Sequence, residues 1–284
     1  MAIGPTVRRR RLGSELRRLR EARSINLEVV ADRLGLAAST LSRIENGKAP
    51  TKTAYLTALL EVYEVTDPEQ RQILIDMARE GHRKGWWAGY EDVLPTGFGI
   101  YVGLEADASG LRIYETQVVN GLLQTPEYAK AILREVNKKD SPDQLQRATE
   151  LRIKRQYTVE KPDPPDLWLI LDEAVIRRPI GGPEVMASQL KHLVEASHWP
   201  NVTLQVLPFS AGAHSALPGP FTILEFPERT DDDVVYLDSW GGPIYLEKER
   251  DVRMCAEAFD RLRAAALSTN DSVALANQVA GQLM

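Results

Sequence analysis

The chain has 284 residues, 43% of them hydrophobic and 26% charged, a globular balance sized for two domains rather than one. No apolar run approaches the roughly 18 residues needed to span a bilayer. A single cysteine, Cys255, excludes an intrachain disulfide framework and a cysteine-rich zinc site. The net charge of −5 hides an asymmetry, because residues 1–52 carry 12 Lys and Arg against 5 acids (+7) while the rest carries 23 against 35 (−12). A polyanion at close range meets the basic head, since screening removes the acidic body beyond about 8–10 Å.

The opening stretch, MAIGPTVRRRRLGSELRRLR, has no apolar run behind its basic residues and does not read as a secretory signal. Residues 1–11 read as a basic arm, with Arg8, Arg9, Arg10 and Arg11 expected to track phosphates or reach a minor groove. Leu12, Leu16 and Leu19 recur at helical spacing and predict an amphipathic helix from about Leu12 to Ala22. Asn26 can cap a second helix, Leu27 to Leu34, with Val30, Ala31 and Leu34 turned inward. Gly35 suits the tight turn that follows, because glycine tolerates positive φ.

A third helix runs from about Ala38 to Asn46, with Leu41 and Ile44 inside and Ser39, Thr40, Ser42 and Arg43 outside. Helix, short turn, helix with a polar outer face is the helix-turn-helix arrangement. Ser and Thr can bond base edges or phosphates, and Arg can take guanine bidentately. Lys48 and Lys52 follow, where the chain would pass the phosphate backbone. TAYLTALLEVYEV and a helix opening at Asp67-Pro68-Glu69 complete an all-α, five-helix head over residues 12–83.

The run LRRLREARSINLEVVADRLGLAASTLSRIENGKAP resembles the lambda-repressor/Cro-like (XRE) helix-turn-helix, most closely at Ser42, Arg43, Ile44, Glu45, Gly47 and Pro50. The resemblance implies double-stranded DNA as partner, recognition by Ser39, Thr40, Ser42 and Arg43, and an internal bracing role for Glu45. Leu27 and Ala37 depart from it, standing where relatives carry a phosphate-contacting polar residue and a capping Ser.

Residues 84–99 form a connector rich in glycine and aromatics, and Trp86, Trp87 and Tyr90 are expected to pack between domains. Beyond it, RIYETQVV, DLWLILDEAVI, NVTLQVLPF, PFTILEF and DDVVYLD read as strands. Helices are expected to start at Thr125-Pro126-Glu127 and Ser141-Pro142-Asp143, and to cover PEVMASQLKHLVEASHW, KERDVRMCAEAFDRLRAAAL and NDSVALANQVAGQL. Residues 100–284 thus form an α+β domain with a mixed sheet.

GLLQTPEYAKAIL, LDEAVIRRPIGGPEVMASQLKHL and VLPFSAGAHSALPGPFTILEF resemble the uncharacterised C-terminal domain of actinobacterial WhiJ-like regulators, often described as antitoxin-like. That resemblance implies regulation and a small partner protein encoded nearby; the acidic body itself is expected to receive a signal, from such a protein or from a small-molecule ligand. His192 and His198 stand six apart on one helix, on different faces, and His214-Ser215 lies in a small-residue loop without a nucleophile elbow. No catalytic residue, cofactor or metal ion is expected. The expectation is a cytoplasmic, nucleoid-associated, homodimeric regulator on a dyad operator. Its rival is an antitoxin-like protein that sequesters a partner and binds DNA for autoregulation. Apolar positions on several sides of the helices after Glu247 suggest that the body dimerises, and Cys255 among them is expected to be buried.

Overall fold

The computed structural model describes residues 7–81, 85–138, 140–226 and 233–283. Residues 1–6 of the expected arm, His82, Arg83 and Lys84 at the expected head boundary, Asp232 before a strand, Met284 and the Arg8 side chain lie outside the described residues. Among the described residues no helix is long and apolar enough to cross a membrane.

The head is built from α1 (Val7–Ala22), α2 (Leu27–Arg33), α3 (Ala38–Glu45), α4 (Thr53–Val62) and α5 (Pro68–Gly81). Each helix gives one stripe to a common core: Leu16 from α1, Val30 from α2, Leu41 from α3, Leu59 from α4 and Leu74 from α5, all at most 2% exposed. Burial of each such side chain contributes about 1.5–3 kcal/mol. Asp67 caps α5, its carboxylate oxygens accepting the N–H groups of Glu69 and Gln70, with Pro68 at the first helical position. Gly35, at φ 63°, turns the chain between α2 and α3.

One expectation fails at the N-terminus. Helix α1 starts at Val7, five residues before the predicted Leu12, so residues 7–11 are helix rather than arm. Arginine is a good helix former, and no breaker follows Pro5 to stop the helix extending upstream.

Along the chain there follow α6 (Phe98–Asp107), β1 (Gly110–Glu115), α7 (Pro126–Val136), α8 (Pro142–Arg155), α9 (Tyr157–Glu160) and β2 (Asp166–Asp172). Next come α10 (Glu173–Arg177), α11 (Pro183–Ala196), β3 (Val202–Leu207), β4 (Phe221–Glu225), β5 (Val234–Leu237), β6 (Ile244–Leu246), α12 (Glu249–Ala265) and α13 (Thr269–Leu283). The chain divides into two compact units, one holding α1–α5 and residues 99–107, the other the sheet with its helices and residues 89–98.

The sheet is mixed, as expected, with order β3-β2-β1-β4-β5-β6. The first three strands pair in parallel, and β1–β4, β4–β5 and β5–β6 are antiparallel. Both faces are covered, which explains the uninterrupted DLWLIL run of β2. On one face Tyr114, Ile170, Ile223 and Val235 pack with Phe259 and Leu262 of α12. On the other, Leu111, Ile113, Leu169 and Leu204 are also buried. The β3 edge is closed by the turn between the last two helices: Val206 N–H donates to Ser272 Oγ, and Leu267 N–H donates to the Val206 carbonyl, both at 2.9 Å. Thr125 and Ser141 cap α7 and α8 as expected, the latter through a full capping box with Gln144.

Two predicted strands run too long. DLWLILDEAVI ends as a strand at Asp172, whose Oδ1 accepts the Ala174 N–H at 2.8 Å and caps α10. RIYETQVV ends at Glu115, because Val119 and Asn120 lead into a 3-10 turn at Gly121–Leu123. In the last two helices Phe259, Leu262, Ala276 and Val279 are buried, Val252, Ala258, Val273 and Leu275 are half-buried, and Met254 is 61% exposed. Cys255 is only partly covered rather than buried, and its burial raises the thiol above its ordinary pKa.

Candidate functional site

The head sorts its cations into two groups. In the second half of α1 and just past it the arginines are answered by carboxylates: Arg17 by Glu21 at 2.8 Å, Arg18 by Glu15 at 2.6 Å, Arg20 by Glu45 at 2.8 Å, and Arg23 by Glu64 at 2.6 Å. Around α3 they are not. Arg33, Arg43, Lys48 and Lys52 have no carboxylate within 4.0 Å among the described residues, and Lys52 lies 5.9 Å from the Tyr55 ring centroid. The cations beside and after the third helix thus stand without the carboxylate partners that Arg17, Arg18 and Arg20 have.

Helix α3 buries Leu41 and Ile44 and exposes Ser39 and Arg43, one turn apart on the same side. Thr40 and Ser42 are half-buried beside them, and Asn46 Nδ2 donates to the Ser42 carbonyl at 2.7 Å and Ser42 Oγ at 3.4 Å. Lys48 and Lys52 are exposed. Ala37 supplies no side-chain cap to α3, so the departure seen in the sequence is real in the structure. The expected bracing role of Glu45 is present. It is 5% exposed and takes two hydrogen bonds from the Arg20 guanidinium, 2.8 and 2.9 Å, with Tyr63 Oη 3.5 Å away. Those bonds raise Arg20 above its usual pKa, and burial, then the nearby carboxylate, raises Tyr63.

The four expected arm arginines do not stand together on a free segment. Arg9 is 4% exposed, and its burial lowers its pKa, so it is withdrawn from any surface that meets a phosphate. Arg10 and Arg11 are half-buried on the same helical turn.

In the body the motifs serve mainly architecture. The segment Val119–Thr125 is irregular, and side-chain amides take its backbone groups. Gln124 Nε2 donates to the Val119 carbonyl, Gln156 Nε2 to those of Gly121 and Gln124, and Gln189 Nε2 to that of Leu123. Glu173 accepts from Arg177 at 2.6 Å and from the Phe209 N–H at 2.7 Å. His214 Nε2 lies 3.4 Å from Tyr114 Oη, His198 bonds the Val194 carbonyl, and no group of metal ligands gathers among the described residues. Trp86 and Trp87 meet edge to face at 5.9 Å, and Tyr90 lies between Arg147 and Lys154, whose cationic groups are 5.4 and 5.5 Å from its ring.

Glu115 is the titratable group that sequence reasoning missed. The residue as a whole is partly exposed, but its carboxyl lies inside, accepting a 3.0 Å bond from Asn120. Burial pushes its pKa up to about 7, helped by Asp238 and opposed by Asn120, Arg152 and Arg155. A folded-state pKa above the unfolded one stabilises the body below the usual carboxylate range, and that contribution fades as pH rises through 7. Glu115→Gln keeps the acceptor without the charge. It should make the body more stable than wild type at pH 8, by on the order of 2 kcal/mol, and equal to it at pH 4.5. Parallel melting of the two proteins across that range checks this, and coincident curves at pH 8 would refute it.

Comparison with known families gives two matches. Residues 98–278, nearly two thirds of the chain, match a family described as a domain of unknown function (DUF5753). Residues 11–73 match a family described as a helix-turn-helix domain. No curated protein and no solved structure matches the chain.

Proposed function

The chain belongs to the DUF5753 family and carries a helix-turn-helix domain of the XRE-like kind, and from these premises we propose that it is a sequence-specific transcriptional regulator acting on a dyad operator. The observation that carries this reading is the set of cations at and around α3, namely Arg33, Arg43, Lys48 and Lys52, that no described carboxylate answers. Helix α3 lies in the major groove, Arg43 and Ser39 face base edges, and Arg33, Lys48 and Lys52 meet phosphates. One eight-residue helix reads too few bases to select a site in a genome, so two heads act together as a homodimer. The body receives the regulatory input, from a small protein or a ligand, and the protein works in the cytoplasm at the nucleoid without catalytic activity of its own.

Arg43→Ala is expected to weaken binding to the selected operator by about 1–3 kcal/mol and to random duplex by much less. Titration of both duplexes checks it. Equal losses would make Arg43 a phosphate contact and remove it from sequence readout.

A second reading, sequestration of a partner protein with DNA binding as autoregulation, draws on Phe209 and Leu217. These side chains are 58% and 67% exposed on the segment between β3 and β4. A stable complex of the native protein with a co-purifying protein, formed through Phe209 and Leu217 and abolishing operator binding, would favour it.

A further inference from the structure

The contact between α1 and α3 is made by backbone rather than side chains. Gly13, buried in the second turn of α1, is in ordinary helical conformation, where alanine would favour the helix by about 1 kcal/mol. Glycine is there for space. A Cβ on Gly13 would stand 2.5 Å from the carbonyl oxygen of Ile44 and 2.7 Å from that of Glu45, at the end of α3. The reverse contact has the same character. Gly47, just past α3 with φ 63°, would place a Cβ 2.8 Å from Arg10 Cα and 2.9 Å from Arg10 N. Two glycines, one on each partner, thus let the second turn of α1 and the end of α3 touch main chain to main chain.

We propose that Gly13 is a positioning residue for DNA readout: the notch it leaves in α1 seats the C-terminal carbonyls of α3 and so sets where Arg43 and Ser39 stand. The proposal rests on the reading of the head as DNA-binding. Ile44 directly follows Arg43, so whatever moves the Ile44 carbonyl moves the Arg43 Cα. An alanine at Gly13 must open the contact from 2.5 Å toward an ordinary 3.4 Å, a displacement near one ångström. Hydrogen bonds to base edges hold over a range of only about 0.5 Å, roughly 2.7–3.2 Å. Long lysines that meet phosphates as point charges follow such a shift without loss. The notch therefore bears on discrimination more than on affinity for DNA in general.

The test uses the full-length chain and a duplex selected by the wild-type protein from a random library, titrated against unselected duplex. Gly13→Ala should reduce the ratio of selected to unselected binding about tenfold, with the salt dependence on unselected duplex unchanged. Leu74→Ala, which hollows the head core from α5, is the control for lost stability and should keep the ratio. All three proteins are compared well below their melting temperatures. A Gly13→Ala protein that keeps the wild-type ratio overturns the proposal, and so does a Leu74→Ala protein that loses as much. If the wild type itself prefers no duplex, the DNA-binding reading fails instead, which is a different result. Should Gly13→Ala not fold, the wild type still decides. Nuclear Overhauser contacts from Gly13 Hα to the Glu45–Gly47 backbone should persist on operator binding, and their disappearance overturns the positioning role.

Discussion

Glu45→Ala is expected to lower the stability of the head by about 3–5 kcal/mol. The head spans some 75 described residues, and domains of that size are held by roughly 4–11 kcal/mol, so this loss removes most of the margin. The reason lies in what remains. The Arg20 side chain is 11% exposed and its guanidinium bonds Glu45 twice, with one further bond to the Ile25 carbonyl at 3.0 Å. Without Glu45, a largely covered cation keeps only the Ile25 carbonyl and the exposed Glu21 carboxylate at 3.6 Å. Arg20 holds α1, Glu45 ends α3 and Tyr63 follows α4, so the loss loosens three helices at once. Hydrogen exchange on the full-length protein should show the amides of α1, α3 and α4 losing protection together while those of the sheet do not change. The paired replacement Arg20→Met with Glu45→Leu should recover much of the loss, since a buried ion pair is often matched by apolar groups of similar volume. Unchanged protection in Glu45→Ala would mean that the pair contributes nothing.

Gln189→Leu should do comparable damage in the body, about 2–5 kcal/mol. Gln189 is 0% exposed, its Oε1 accepts the Thr125 N–H, and its Nε2 donates to the Leu123 carbonyl, each at 2.7 Å. Leucine fills the space but leaves both backbone groups buried without partners, at about 1–3 kcal/mol each. The damage should appear first in the Val119–Thr125 segment and the start of α7. Gln189→Glu, which can still accept from Thr125, should fall between the two. Thermal unfolding of the three proteins at pH 7 orders them, and a leucine variant as stable as wild type would show that water replaces the amide.

Much of the head was legible because its signals are local. The spacing of Leu41 and Ile44 fixed which side of α3 is inside, and Ser39 and Arg43 came out exposed on the other side. The basic run misled, because charge without apolar periodicity reads as coil whether or not it is helical. In the body, β-branched and aromatic residues marked the strand centres but not their ends. DEAVI carries strand-like residues, yet Asp172 is placed to cap, and the cap won. The three residues of β6 are too few for a pattern, and α6 is apolar on several sides, so neither announces itself. Glu115 could not be singled out from sequence, since its neighbours Asn120, Arg152, Arg155 and Asp238 meet it only through the fold. The notch at Gly13 was equally silent, because a lone glycine in a helix gives no hint of what lies opposite.

The place of β1 between β2 and β4 has a consequence for synthesis. Gly110 pairs with Asp166 on one side and with Glu225 on the other, so this central strand needs a partner made more than a hundred residues later. At translation rates of about 5–20 residues per second, the β4-side edge of β1 waits on the order of ten seconds for its partner. The five helices of the head, which share one core of their own side chains, emerge first and close on a far shorter timescale. A nascent chain therefore spends a period with a folded helix-turn-helix head tethered to an unfinished sheet. Slow codons or a chaperone between Glu115 and Phe221 would act on that interval and not on the head.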